Sequence, residues 1–252
     1  STSIAVKPQP VADFSTNLDE GCAPLDVVLS NESICADTFD WNYGDGQTNT
    51  FSSTSDHDYT FQGQNVLNTY SISLTATHNL GCSDVKTDSI SVFPEVFAAW
   101  TGSIEGCAPF ETTLEYVGNN IELIQWNMGN GEYINSPEVT TTYNGQSGND
   151  AVYTVGLGVM SEYGCSDMTD VEIVVHPAPL TGLTVSENNS CAETEVLVSN
   201  ASTYADSVIL HLGNGDILIN SALSSIAVEF ENETSGDISF LISQEVFTDF
   251  GC

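Results

Sequence analysis

The chain has 252 residues, and its 35 acidic residues against two basic ones, Lys7 and Lys86, give a formal charge of -33 at pH 7. Because nucleic acids and anionic membranes attract basic surfaces, this composition excludes nucleic-acid binding and docking on an anionic bilayer. Hydrophobic residues make up 40% of the chain, too many for a disordered acidic tail, and no apolar run is long enough for membrane insertion.

Three sequence markers recur in the same order with a spacing of about 85 residues, which indicates a tandem repeat. The first marker is Gly-Cys-Ala-Pro at Cys22 and Cys107, which returns more weakly as Ser-Cys-Ala at Cys191. The second marker is a short segment with two glycines, which starts at Trp41 in the first copy, at Trp126 in the second and at His211 in the third. The third is a Gly-Cys pair with the cysteines Cys82, Cys165 and Cys252. These markers predict three domains, at 1–94, 95–179 and 180–252.

The apolar pattern inside each repeat has a period of two residues. Tyr70, Ile72, Leu74 and Ala76 alternate with serine or threonine, which predicts antiparallel strands with one buried face. Such strands in a short repeat fit an all-β fold of three tandem immunoglobulin-like β-sandwiches. The third unit stops at Cys252, just after its penultimate strand, so we expect it to lack its final strand in this fragment.

A tight turn is expected after the strand that carries Trp41, whose side chain we place in the core. The turn residues are Gly44, Asp45 and Gly46, because glycine accepts positive φ and aspartate caps turns. The second repeat has the same signature, at three residues: Trp126, Gly129 and Gly131.

The segment from Trp41 to Gly46 resembles the Trp-Asp-Phe-Gly-Asp-Gly signature of the PKD (polycystic kidney disease) domain. The second repeat has Asn130 for the aspartate, and in the third repeat His211 stands where the tryptophan belongs. The Gly-Cys-Ala-Pro and Gly-Cys-Ser-Asp elements are similar to those of PKD arrays in large surface adhesins of gliding bacteria. The resemblance covers essentially the whole chain. It implies extracellular spacer and adhesion roles and no catalysis.

Acidic residues near the signature allow a second interpretation, a calcium site, because Ca²⁺ prefers carboxylate oxygens. The candidate ligands are four aspartates: Asp40, Asp45, Asp56 and Asp58. Asparagines in the later repeats and the lack of a bidentate glutamate favour the turn over the calcium site. The Asp56-His57-Asp58 cluster is interpreted first as a polar loop. We therefore expect that no cofactor is required, with calcium as the alternative.

The recurring cysteines predict disulfides, which are typical of exported proteins. In immunoglobulin topology the first cysteine of each repeat lies at the turn that leads into the second strand. The other cysteine lies in the hairpin between the last two strands. These turns are at opposite ends of a sandwich, roughly 23 Å apart for a seven-residue strand, whereas bridged Cα atoms lie within about 7 Å. Stacked repeats remove this conflict and predict two bonds between repeats: Cys22–Cys165 and Cys107–Cys252.

Other states of the cysteines stay open. Cys82 and Cys191 would pair with repeats outside this chain. Bonds within each repeat would instead be Cys22–Cys82, Cys107–Cys165 and Cys191–Cys252, and free or metal-bound thiols are a third alternative. Cys35 has no counterpart in the other repeats, and we expect it to be a small buried apolar residue.

The sequence favours an extracellular structural array that forms the stalk of a cell-surface adhesin or filament, as in gliding motility, stiffened by disulfides between repeats. Its expected partners are neighbouring repeats, with surface polysaccharide or other adhesin subunits as further candidates. We expect no enzymatic activity, because zinc-binding histidine spacings and a nucleophile elbow are missing from the sequence. The alternatives are a polysaccharide- or protein-binding module with calcium at its junctions, and an accessory array of a secreted hydrolase.

Overall fold

The computed structural model describes residues 2–59, 67–187, 189–191, 194–220 and 224–252. Every regular element in this part of the chain is a β-strand. The prediction of an all-β fold built from immunoglobulin-like sandwiches is therefore confirmed. No helix in these ranges is long and apolar enough to cross a membrane.

The first repeat forms two sheets from the eight strands that the described residues show. The strands are β1 (Phe14–Thr16), β2 (Glu20–Cys22), β3 (Leu25–Asn31), β4 (Thr38–Asn42), β5 (Thr48–Asn49), β6 (Thr54–Tyr59), β7 (Asn68–Thr77) and β8 (Ser83–Phe93). One sheet has the order β1-β3-β6 and the other the order β2-β8-β7-β4-β5. β2 pairs with β8 in parallel, whereas the other recorded pairs of this repeat are antiparallel.

The core of the first repeat follows from the alternation in its strands. Leu25, Val27 and Leu29 of β3 are buried, while Asp26 between them is exposed. Each fully buried aliphatic side chain of this kind contributes about 1.5–3 kcal/mol of hydrophobic free energy. Trp41 lies in the same cluster with only 1% of its surface exposed, so the signature strand is anchored in this core.

The second repeat also forms a three-stranded and a five-stranded sheet. Its strands are β9 (Trp100–Thr101), β10 (Glu105–Cys107), β11 (Phe110–Tyr116), β12 (Leu123–Asn127), β13 (Tyr133–Ile134), β14 (Glu138–Tyr143), β15 (Ala151–Met160) and β16 (Ser166–His176). The sheet orders are β14-β11-β9 and β10-β16-β15-β12-β13. These orders match those of the first repeat strand for strand, as expected for two copies of one unit.

The third repeat forms two three-stranded sheets within the described residues. Its strands are β17 (Leu183–Val185), β18 (Thr194–Asn200), β19 (Ser207–His211), β20 (Ile217–Asn220), β21 (Ser225–Phe230) and β22 (Ser243–Phe247). The orders are β17-β18-β21 and β20-β19-β22. Val198, Leu210 and Phe230 are among the buried residues of its core.

The chain divides into two compact units. The first contains Ser1–Ala99, Val117–Gln125 and Leu157–Thr169, and the second contains Trp100–Tyr116, Trp126–Gly156 and Asp170–Cys252. Each unit thus includes residues of the second repeat. The domain boundaries at 94 and 179 remain a prediction from the sequence repeat.

Candidate functional site: the junctions between repeats

The signature segment forms a turn held by side chains that accept backbone hydrogen bonds. Asn42 Oδ1 accepts the Gly44 N–H at 2.9 Å, and Asp45 Oδ1 accepts the Gln47 N–H at 2.9 Å. Gly44 and Gly46 have φ of 83° and 95°, a conformation that residues with a side chain rarely adopt. Asparagine or aspartate therefore serves this turn as an acceptor.

The later repeats form the same turn with different residues. Trp126 is fully buried, and its indole N–H donates to the Ser136 carbonyl at 3.0 Å. Asn130 Oδ1 accepts the Glu132 N–H at 2.9 Å, as Asp45 does for Gln47. Gly129 and Gly131 again have positive φ, 72° and 98°. In the third repeat, the acceptor is Asn214 and the donor the N–H of Asp216.

Asp45 has a second partner that the sequence did not indicate. Its Oδ2 lies 2.8 Å from Nε2 of His57, and both side chains are more than nine-tenths buried. The His57 ring stacks on Tyr43 with centroids 3.7 Å apart. Burial, together with the charge of Asp45, raises the pKa of Tyr59, whose hydroxyl donates to the Tyr43 carbonyl. The carboxylate thus belongs to a buried hydrogen-bonded cluster.

The four aspartates considered for calcium take separate positions. Asp40 is exposed on β4, in the five-stranded sheet, whereas Asp56 and Asp58 are exposed on β6, in the other sheet. The interpretation of Asp56-His57-Asp58 as a polar loop is wrong, because these residues lie in the strand β6, whose alternation buries the histidine and leaves both aspartates exposed. Among the residues that the structure describes, no three His, Cys, Asp or Glu side chains form a group that could hold a metal ion.

The junction between the first and second repeats is covalent. Cys22, the last residue of β2, forms a disulfide with Cys165, and their Cα atoms lie 5.7 Å apart. Phe93, which ends β8, stacks on Tyr163 with centroids 4.8 Å apart and ring planes 7° from parallel. A ring pair therefore accompanies the bond, and both connect the first repeat to the last hairpin of the second.

The junction between the second and third repeats has the same composition. Cys107, the last residue of β10, forms a disulfide with Cys252, with a Cα separation of 5.5 Å. His176, which ends β16, stacks on Phe250 with centroids 3.7 Å apart and planes 9° from parallel. The bonded cysteines are the two pairs that the sequence favoured.

The stacked rings were not found from the sequence, although a signal for them exists. In both junctions one ring immediately precedes a proline, at Phe93-Pro94 and His176-Pro177. The other ring lies two positions before the hairpin cysteine, at Tyr163 and Phe250. Leu80 has this second position in the first repeat, and it is 69% exposed. The pairs are 70 or more residues apart in the chain, so local patterns do not reveal them.

A carboxylate anchors the segment that leads into each of the first two repeats. Asp84 Oδ2 accepts the Ala12 N–H at 2.9 Å, and Asp167 Oδ2 accepts the Ala98 N–H at 2.8 Å. Both aspartates come from the recurring Gly-Cys-Ser-Asp element. This element therefore holds the entering chain as well as the hairpin cysteine.

Three cysteines are free and exposed: Cys35, Cys82 and Cys191. The expectation that Cys35 is buried is wrong. Cys35 lies in a turn with φ of 59°, and Asn120 and Tyr204, at the same repeat position, have φ of 55° and 61°. The Tyr204 ring packs against Gly148, where a Cβ would lie 2.3 Å from the ring. In the third repeat this turn thus contacts a loop of the second repeat.

Comparisons with known proteins identify a relationship for the first repeat. A family model described as PKD domain matches residues 5–92, so the first repeat is PKD-like. The PKD1 domain of the Vibrio cholerae metalloprotease PrtV is 29% identical and aligns with a TM-score of 0.28, covering 34% of this chain and 99% of that domain. The PKD1 domain of Vibrio anguillarum Epp is 25% identical, with a TM-score of 0.29 and coverages of 35% and 99%.

A third similar structure is longer. A Ca²⁺-stabilized adhesin that helps an Antarctic bacterium to bind ice is 15% identical, with a TM-score of 0.31, and covers 96% of this chain and 73% of that one. No curated protein matches the sequence. The first repeat is thus PKD-like, the chain as a whole has an all-β fold of immunoglobulin-like sandwiches, and its disulfides are of a kind typical of extracellular proteins.

Proposed function

We propose that the chain is a load-bearing segment of an extracellular stalk, belonging to a cell-surface adhesin or filament such as those used in gliding motility. The observation that carries the proposal is the covalent junction. Cys22–Cys165 and Cys107–Cys252 each connect one repeat to the next, and a stacked ring pair accompanies each bond. A stalk under tension gains from a covalent limit on extension, and the two bonds supply such a limit across both junctions.

The acidic surface is consistent with this role. A formal charge of -33 keeps molecules soluble and apart, and salt screens the repulsion beyond about 8 Å at physiological ionic strength. In this proposal the chain performs no catalysis, requires no cofactor, and has repeats of its own kind as its main partners. Cys82 and Cys191, which are free here, would extend the series of bonds to further repeats.

The mechanical effect of the two disulfides can be worked out from their positions. The shortest covalent path between the two ends of the chain runs from the first residue to Cys22 and crosses the disulfide to Cys165. It then runs back along the chain to Cys107 and crosses the second disulfide to Cys252. This path includes roughly 80 residues and so extends to about 290 Å, whereas the fully reduced chain extends to about 900 Å at about 3.6 Å per residue.

Single-molecule force spectroscopy on the chain held by its two ends tests the proposal. We expect a final extension near the shorter value without reductant and near the longer value with it. A non-reducing peptide map of the same sample identifies the bonded pairs. Extension to the longer value without reductant would show that the bonds carry no load and would contradict the proposal.

A second candidate function is polysaccharide binding, favoured by one cleft. The cleft has a volume of about 410 Å³, and its lining includes the partly exposed rings of Tyr204 and Phe250 beside Asn149 and Asp206. Aromatic faces next to polar groups are features of ligand sites. A glycan array distinguishes this candidate: binding that Y204A abolishes would support it, and no binding would leave the stalk as the better account.

A further inference from the structure

The histidine in the second junction has contacts that the first junction lacks. The His176 side chain is 6% exposed. Its Nδ1 lies 2.8 Å from Asp150 Oδ1, and its Nε2 lies 2.8 Å from Glu105 Oε1. Both ring nitrogens are thus within hydrogen-bond distance of a carboxylate.

With both carboxylates ionised, this geometry is fully satisfied only when each ring nitrogen has a proton. An ionised carboxylate only accepts hydrogen bonds, and a neutral imidazole has a single N–H. A neutral ring would therefore satisfy Asp150 or Glu105, and its other nitrogen would turn a lone pair toward the remaining carboxylate. The doubly protonated imidazolium satisfies both, so the surroundings of His176 fit the charged form.

The charged ring also makes the contact between repeats. The Phe250 ring lies parallel to the His176 ring at 3.7 Å, and a cation over an aromatic face gains a cation–π attraction. Phe250 lies two residues before Cys252, and Cys107 is paired with His176 in the β10–β16 register. Protonation of His176 therefore changes a ring contact that lies close to both cysteines of the second disulfide.

The groups around His176 on each neighbouring element favour the proton. Glu105 comes from β10 and Asp150 from the segment before β15. On the third repeat, Asp206 lines the adjoining cleft and accepts the Asp249 N–H at 2.8 Å. The hydrogen bonds to Glu105 and then to Asp150 raise the pKa of His176, and burial opposes them only in part.

The first junction is a matched comparison within the same molecule. There Phe93 takes the place of the histidine and stacks on Tyr163 in the same parallel manner. Phe93 has no group that titrates, so the contact between these two rings does not depend on its protonation.

We propose that the second junction is a proton-dependent contact, tight while His176 is charged between Glu105 and Asp150 and loosened when it loses its proton, whereas the first junction does not respond in this way. The sign follows from linkage: a histidine with a raised pKa in the folded state contributes its full stability below its ordinary pKa of about 6.5. That contribution is lost as the pH rises through the raised value. The chain would then have one junction that loosens as the pH rises through the raised pKa of His176.

The test compares the two disulfides in the intact chain. A phosphine reduces the protein at a series of pH values from about 5 to about 9, a range that brackets the histidine titration, and alkylation with mass spectrometry follows each bond. Because both bonds meet the same reductant, its own pH dependence cancels in the ratio of their rates. We expect the rate for Cys107–Cys252, relative to Cys22–Cys165, to rise severalfold across the titration of His176.

Two variants make the result specific. H176F reproduces the first junction and should remove the pH dependence of the ratio, and H176Q, which keeps a donor for one carboxylate, should remove it as well. An NMR titration in which the signal absent from H176F identifies His176 should show a pKa above the ordinary histidine value. The proposal would be overturned if the ratio of the two rates did not change with pH in the wild-type chain. It would also be overturned if the ratio changed with pH in H176F and H176Q as much as in the wild-type chain.

Discussion

Two glycines of the signature turn allow a sharp test of the structure, because they share a backbone conformation and differ in their surroundings. Gly44 and Gly46 have φ of 83° and 95°. A Cβ on Gly44 would lie 2.6 Å from the carbonyl oxygen of Ser71 and 2.8 Å from its nitrogen, whereas a Cβ on Gly46 would have nothing within 4 Å. Replacement by alanine therefore separates conformational strain from a collision with β7.

The expected magnitudes follow from these distances. G46A should cost about 1–2 kcal/mol, the price of a left-handed conformation for a residue with a Cβ. G44A has the same strain and must also displace the backbone of β7, which adds about 1–3 kcal/mol, as for other overpacked sites. The difference between the two variants is thus the cost of the collision alone.

Urea unfolding of the oxidised chain, monitored through hydrogen exchange of the β7 amides, measures this difference in the first repeat. The pair Gly129 and Gly131 repeats the experiment in the second, where a Cβ on Gly129 would lie 2.5 Å from the Thr154 carbonyl oxygen and one on Gly131 would meet nothing. Equal losses for the two variants of a pair, or a larger loss at the second glycine, would refute the reasoning.

Three further predictions concern single side chains. D45N should destabilise the first repeat by about 1–3 kcal/mol, because it weakens a buried hydrogen bond to a histidine, whereas D58N on the exposed face of β6 should stay within about 0.5 kcal/mol; urea midpoints compare them. C22S should lower the free energy of unfolding by at most about 5 kcal/mol for a loop of 143 residues, and C82S, which removes a free thiol, should leave the urea midpoint unchanged. Burial, aided by a nearby glutamate, raises the pKa of Tyr143 to about 12, so the ultraviolet titration step that Y143F removes should lie near that pH; a step near pH 10 would contradict this.

Much of the fold could be predicted from the sequence, because its signal is local and repeated. Alternation such as that of Tyr70, Ile72 and Leu74 identifies strands with one buried face, and the fold class is confirmed. The cysteine pairs could be inferred from topology because a disulfide restricts distance severely. A pattern that recurs three times also reduces the effect of any single unusual residue.

The remaining features depend on contacts between distant residues. The burial of His57 was missed because its neighbours are both aspartates, and only the alternation of β6 reveals that they face outward. The exposure of Cys35 was missed because a left-handed turn at a residue other than glycine has no clear sequence signal. The ring pair of His176 and Phe250 spans two repeats, and no periodicity within either repeat indicates it.

The two disulfides overlap along the chain, since Cys107 lies inside the loop closed by Cys22–Cys165 and Cys165 lies inside the loop closed by Cys107–Cys252. A protease that cuts the backbone once, anywhere between residues 22 and 252, therefore releases no fragment, because at least one bond still connects the two pieces. Bonds within each repeat would not give this protection, since a cut between repeats would separate them. A nicked molecule would stay in one piece on a non-reducing gel and come apart only after reduction.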